Sequence, residues 1–110
     1  MPYDLEQRCL SFAIKVRDFC LAQKYDVVNS VYIRQLVRSS SSVGANYIEA
    51  NECLGKQDLK MRMRIARKEA KETQYWLLLV LTDHEPARSR LYQEAEELRK
   101  ILSSIINKLP

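Results

Sequence analysis

Four cations recur along one stretch of the chain, with Lys60, Arg64, Arg67 and Lys71 standing at i, i+4, i+7 and i+11. On a helix that spacing places them along one side. A row of like charges suits the tracking of a phosphate backbone, because affinity for nucleic acid is mostly electrostatic. Between Lys56 and Lys71 there are seven basic and two acidic residues, a local charge of +5 against +4 for the whole chain. The competing reading is a solvated face whose charge keeps the protein in solution. No aromatic residue is interleaved with the four cations, so stacking on bases has no support there. Nor does the chain carry a named nucleic-acid-binding motif.

The other reactive residue types do not assemble into a catalytic or metal constellation. Glu69 and Glu72 lie one turn apart beside Trp76, and paired carboxylates inside a helical bundle can hold two metal ions. That site also draws on Glu-x-x-His pairs, whereas His84 is the one histidine. His84 itself lies between Asp83 and Glu85 without convergent partners for a metal. Ser39 to Ser42 have no base within credible reach and no acid to orient one. Cys9 and Cys20 fall near an apolar stripe and read as small buried residues. A glycine-rich phosphate loop is absent from the sequence. The expectation is a protein that is not an enzyme, with no cofactor, no metal and no small-molecule substrate.

The elements that must carry these residues follow from composition and punctuation. A chain of 110 residues fits one domain, 1–110, with enough length to bury a core unaided. Only two glycines and three prolines leave too few turn formers for a many-stranded sheet and suit a few long helices. Three cysteines without a CxxC pair leave one unmatched in any disulfide scheme, which points to a reducing cytoplasm. "MPYDLEQR" has no basic head followed by an apolar run. The longest apolar run, "YWLLLVL", falls far short of the ~20 residues that span a bilayer, so no membrane association is expected.

Apolar spacing then predicts four helices. The first runs from about Asp4 to Ala22, with Leu5, Cys9, Phe12, Val16 and Phe19 on one stripe. Asn29 or Ser30 is placed to cap the second, which runs to about Leu54 and stops at Gly55. The third begins near Lys56 and aligns Leu59, Met63, Ala66, Ala70, Thr73, Leu77 and Val80. Pro86 suits the first turn of the fourth, whose stripe is Leu91, Ala95, Leu98, Leu102, Ile105 and Leu109. Short connections make neighbours antiparallel, giving an all-α, up-down-up-down four-helix bundle.

In the second helix, "RSSSSVGANYIEA" places weak helix formers at mid-element. Ile33, Leu36, Val37, Ser40, Val43, Gly44 and Tyr47 share a face, so Ser40 and Gly44 are its small members and admit a close neighbour. Arg38, Ser42 and Glu49 fall opposite, with Ser39 and Asn46 towards the edge. Either these polar residues form a solvated face, or they hydrogen-bond across a helix or subunit contact, as buried polar groups must.

"QLVRSSSSVGANYIEA" (35–50) followed by "KEAKETQYWLLLV" (68–80) resembles the four-helix-bundle family encoded in intervening sequences of bacterial 23S ribosomal RNA genes, over nearly the whole chain. The matching positions are Arg38, Ser39, Ser42, Ala45, Asn46 and Glu49 in the second helix, and Glu69, Ala70, Glu72, Tyr75 and Trp76 in the third. The resemblance implies an antiparallel bundle and a ring-like homopentamer. More distantly, the chain is similar to the accessory protein of diversity-generating retroelements, which implies contact with nucleic acid and a protein partner. One departure is Gly55, which stands where members often have a serine or threonine cap.

A second apolar set supports self-association from the residues alone. Met61, Ile65, Trp76 and Leu79 point away from the third helix's core stripe, and Leu10, Ile14 and Leu21 do the same on the first. Such extras mark an interaction surface, unless a wide monomer core absorbs them. The expected function is a non-catalytic oligomeric scaffold that binds RNA or DNA through the basic stripe. The alternative is a purely structural or protein-binding oligomer, favoured if a neighbour's Glu94, Glu96 and Glu97 neutralise that stripe.

Overall fold

The computed structural model describes residues 3–110 and contains α1 (Tyr3–Leu21), α2 (Val27–Asn51), α3 (Lys56–Leu79) and α4 (Glu85–Lys108). Met1 and Pro2 of the expected 1–110 domain lie outside the described residues. No strand occurs among the described residues. Connections of four or five residues turn successive helices antiparallel. Each helix packs on its chain neighbours, and α1 closes against α4. The result is an up-down-up-down bundle 45 Å long and 23 by 18 Å across, the length of a ~36 Å helix of this size plus its end turns. No helix among the described residues is long and apolar enough to cross a membrane.

The stripes of α1 and α3 are buried as the spacing predicts, from Leu5 to Phe19 and from Met63 to Val80, with Leu59 half-buried at the start of α3. On α4 the stripe ends differently. Ile106 is buried while Ile105 and Leu109 are half-buried, because the four-residue steps Leu98–Leu102–Ile106 stay closer to the bundle axis.

α2 is rotated relative to expectation. Val37 is 43% exposed whereas Ser39 is fully buried, a turn of roughly 40° about the helix axis. The rotation lets one helix serve two neighbours. Towards α1, a Cβ added to Gly44 would stand 3.1 Å from the Cys9 Cβ, so the missing side chain sets how close these helices lie. Towards α3, the Ser39 and Thr73 hydroxyls share a 2.8 Å hydrogen bond. The exposed serines bond back to their own helix, Ser41 Oγ to the Val37 carbonyl at 2.6 Å and Ser42 Oγ to the Arg38 carbonyl at 2.7 Å. That local pairing lets a serine run remain helical.

The helix ends correct three expectations. Asp26, not Asn29 or Ser30, caps α2, its Oδ1 accepting from the Val28 and Asn29 amides at 2.9 and 3.0 Å. Two β-branched valines directly after the cap blur that boundary in sequence. Asn29 is instead buried and grips the chain just past α3, donating to the Leu81 carbonyl at 3.0 Å and accepting from its amide at 2.7 Å. α2 ends at Asn51 rather than Leu54. Gly55 has an extended φ of −128° and precedes α3 as its cap, so it lacks the left-handed turn that would stop α2. Pro86 does occupy the first turn of α4, and Arg88 reaches back to the Leu77 and Val80 carbonyls at 3.2 and 2.7 Å.

Candidate nucleic-acid interface

α3 presents the basic row along the margin it shares with α4. Arg64 and Lys71 are exposed, Lys60 and Arg67 half-buried. Arg67 donates from Nη1 to Ser103 Oγ of α4 at 3.3 Å. None of the four cations belongs to an ion pair among the described residues. Their charge is therefore presented to solvent uncompensated at contact range.

The acids that could neutralise such a row are engaged elsewhere. Arg8 of α1 holds Glu94 at 2.8 Å and Glu97 at 3.2 Å. The Glu94 hydrogen bond in particular raises the Arg8 pKa above its ordinary value. Glu96 pairs with Arg99, which also donates to Gln74 Oε1 at 3.2 Å.

Of the residues carrying the family resemblance, Arg38, Ser39, Asn46, Glu69, Glu72 and Trp76 make contacts across the α2–α3 seam. Arg38 donates to Glu69 Oε2 at 2.9 Å, to Glu72 Oε1 at 3.1 Å and to Gln35 Oε1 at 3.0 Å. The Glu69 side chain is only 8% exposed, so the guanidinium supplies the countercharge that burial of a carboxylate demands. Asn46 donates to the Ser42 carbonyl at 2.9 Å and accepts from Arg62 at 3.3 Å. Trp76 stacks on Tyr32 with centroids 6.4 Å apart and meets Tyr75 edge-on at 5.2 Å. Ala45 and Glu49 are exposed.

This is the contact pattern of a clamp between helices. Glu69 and Glu72 are both taken by Arg38, and no group of three or more potential metal-ligating His, Cys, Asp or Glu residues forms among the described residues. His84 is the exposed N-cap of α4. Burial pushes the Cys9 and Cys20 thiols up to about 11, and the Asp58 hydrogen bond raises that of Cys53.

A family model described as 23S rRNA-intervening sequence protein matches residues 3–107. The chain belongs to that family. Its bundle is similar to the crystal structure of a protein with unknown function from the S23 ribosomal protein family of Bacteroides thetaiotaomicron. The two share 31% identity and a TM-score of 0.80, over 93% of this chain and 97% of that one. No curated protein matches the chain.

The second apolar set divides on inspection. Leu10, Ile14, Leu21 and Met61 are exposed. Ile65 and Leu79 are half-buried, and Trp76 packs against the core with its indole N–H lacking a hydrogen-bond partner among the described residues. Sequence reasoning missed Tyr25, Val27, Val28, Val31, Leu78 and Leu81, all exposed around the end where the α1–α2 and α3–α4 connections meet. The valines at 27, 28 and 31 lie off the α2 core stripe, and that spacing was the available signal.

Proposed function

We propose that the protein is a non-catalytic, oligomeric helical-bundle scaffold of the cytoplasm that engages RNA or DNA through Lys60, Arg64, Arg67 and Lys71. The observation that carries this reading is the uncompensated row itself. Four cations share one margin of α3 without an ion-pair partner among the described residues, while Glu94, Glu96 and Glu97 are held by Arg8 and Arg99. A solvated face needs charge but not charge of one sign, and a single-sign row is what counterion release from phosphates rewards.

Self-association is part of the proposal and rests on the exposed Leu10, Ile14, Leu21 and Met61. A count of five rests on the family resemblance alone. A ring would join unlike patches of successive copies, in keeping with apolar residues exposed on separate helices.

Anisotropy titrations of labelled RNA and DNA at several salt concentrations test the reading. Binding should weaken steeply with salt. Changing Arg64, Arg67 and Lys71 together to glutamine should weaken it and flatten that dependence by nearly one unit of slope per lost phosphate contact. Unchanged affinity in the triple variant would place the contact elsewhere, and absence of binding at low salt would leave the structural oligomer as the function.

A further inference from the structure

We infer that the nucleic acid is taken as a single strand, its phosphates drawn along Arg64, Lys68 and Lys71 and one unpaired base stacked on Tyr75. The inference rests on the nucleic-acid reading above and names the ligand of that site.

Four side chains form the outermost line of α3. Arg64, Lys68, Lys71 and Tyr75 follow one another at i, i+4, i+7 and i+11, within an arc of about 60° at ~100° per residue, and all four are exposed. Lys60 and Arg67 lie to one side of this line and are half-buried. The line is about 16 Å long at ~1.5 Å per residue, and Tyr75 stands past the end of the cations rather than between them. Its charge has one sign. The carboxylates of this stretch, Glu69 and Glu72, are both held by Arg38, while Arg64, Lys68 and Lys71 belong to no ion pair among the described residues.

Tyr75 offers a braced platform at the end of that line. The residue is 58% exposed, and its ring meets Trp76 edge-on, with centroids 5.2 Å apart and planes at 65°. A contact of that shape takes an edge or one face of the tyrosine ring, so a face stays open. Trp76 is itself half-buried, packed on the core and stacked on Tyr32 with planes 27° apart. The Tyr75 ring is thus held before any ligand arrives, and a tyrosine has few side-chain torsions to lose. An exposed aromatic in line with cations of one sign is the combination that single-strand binding uses, the cations following the backbone while a base stacks on the ring. A duplex gains nothing from the ring unless a base step is first unstacked. Every base has a π-face, so the preference is for strandedness rather than sequence, and RNA and DNA strands both qualify.

The test measures labelled single strands, in RNA and in DNA, and the duplexes they form, by anisotropy across a salt series. Light scattering and circular dichroism record the mass and fold of each variant. At about 0.15 M salt, where the denser charge of a duplex counts less, wild type should bind a strand more tightly than its duplex. Tyr75→Ala should weaken strand binding about 5- to 150-fold, the loss of one stacked base, with the salt slope and duplex binding unchanged, and Tyr75→Phe should retain wild-type affinity. Lys68→Gln should instead flatten the strand's salt slope by about 0.7. Unchanged strand affinity in Tyr75→Ala, or duplex binding at least as tight as that of the strand, overturns the inference while leaving the cationic reading in place. A smaller particle in Tyr75→Ala would assign the ring to a contact between copies and overturn it likewise. If no nucleic acid binds wild type at low salt, the underlying functional reading falls, and this inference with it.

Discussion

Gly44 shows how a residue with no side chain can set a bundle's geometry. Its missing Cβ would lie 3.1 Å from the Cys9 Cβ, a rigid neighbour that cannot swing away. Gly44→Leu should therefore lower stability by about 1–3 kcal/mol through overpacking, despite the better helix propensity of leucine, as read from a urea midpoint. Arg38 makes a different case, because it supplies the countercharge for a carboxylate that is almost out of water. Arg38→Ala should cost about 1–2 kcal/mol by stranding Glu69, and adding Glu69→Gln should recover part of that loss in a double-mutant cycle. The buried thiols predict a pH effect. Burial raises Cys9 and Cys20 from 9.0 to about 11, so between those values the unfolded chain releases thiol protons that the folded chain retains. Stability from this source is complete below pH 9 and declines as pH rises towards 11. Thermal melts across that window should show the fall, and it should be shallower in Cys20→Ala. The small size of Ser40 and Gly44 was legible from their place on an apolar stripe. The role of Ser39 was not, since its partner Thr73 lies 34 residues away and only the rotation of α2 turns it inward.

Helix stripes were legible because burial of one face imposes a period that survives in the sequence. Helix ends were less so, because a cap is one hydrogen bond and several residues near Asp26 could have made it. Asp26→Ala should cost about 1 kcal/mol, the usual loss for an acidic N-cap. Asn29→Ala should cost more than the cap, since it strips both the amide and the carbonyl of Leu81 of their partner just where the helix can no longer supply one. Equilibrium unfolding of the two variants side by side gives the order. Equal losses would show that water replaces Asn29 at Leu81 without penalty. Arg88 illustrates the same limit, for nothing in the local sequence of α4 announces that this arginine closes the end of α3.

For the whole molecule, the four-helix architecture was readable from short connections and four apolar periods, whereas the surface roles of the apolar extras were only half readable. Trp76 sits against Tyr32 and the core, so Trp76→Glu should destabilise the subunit itself. Leu10 and Leu21 are 55% and 78% exposed. If they join copies, Leu10→Glu/Leu21→Glu should give a smaller particle in light scattering with helicity intact, and an unchanged mass would remove them from any interface. The two ends of the bundle are also unequally fastened. One end is sewn by Asn29 on Leu81 and by Arg88 on the last α3 carbonyls. At the other, the α2–α3 turn leaves Leu54 fully exposed, and Gly55 gives α3 no side-chain cap. Backbone amides near Asp58 should therefore exchange with solvent deuterium through local opening, while those around Val80 and Leu81 should wait for nearly global unfolding. The bundle would then breathe from one end only, and the first turn of that opening end leads into Lys60, where an incoming polyanion would meet the most yielding part of the basic row.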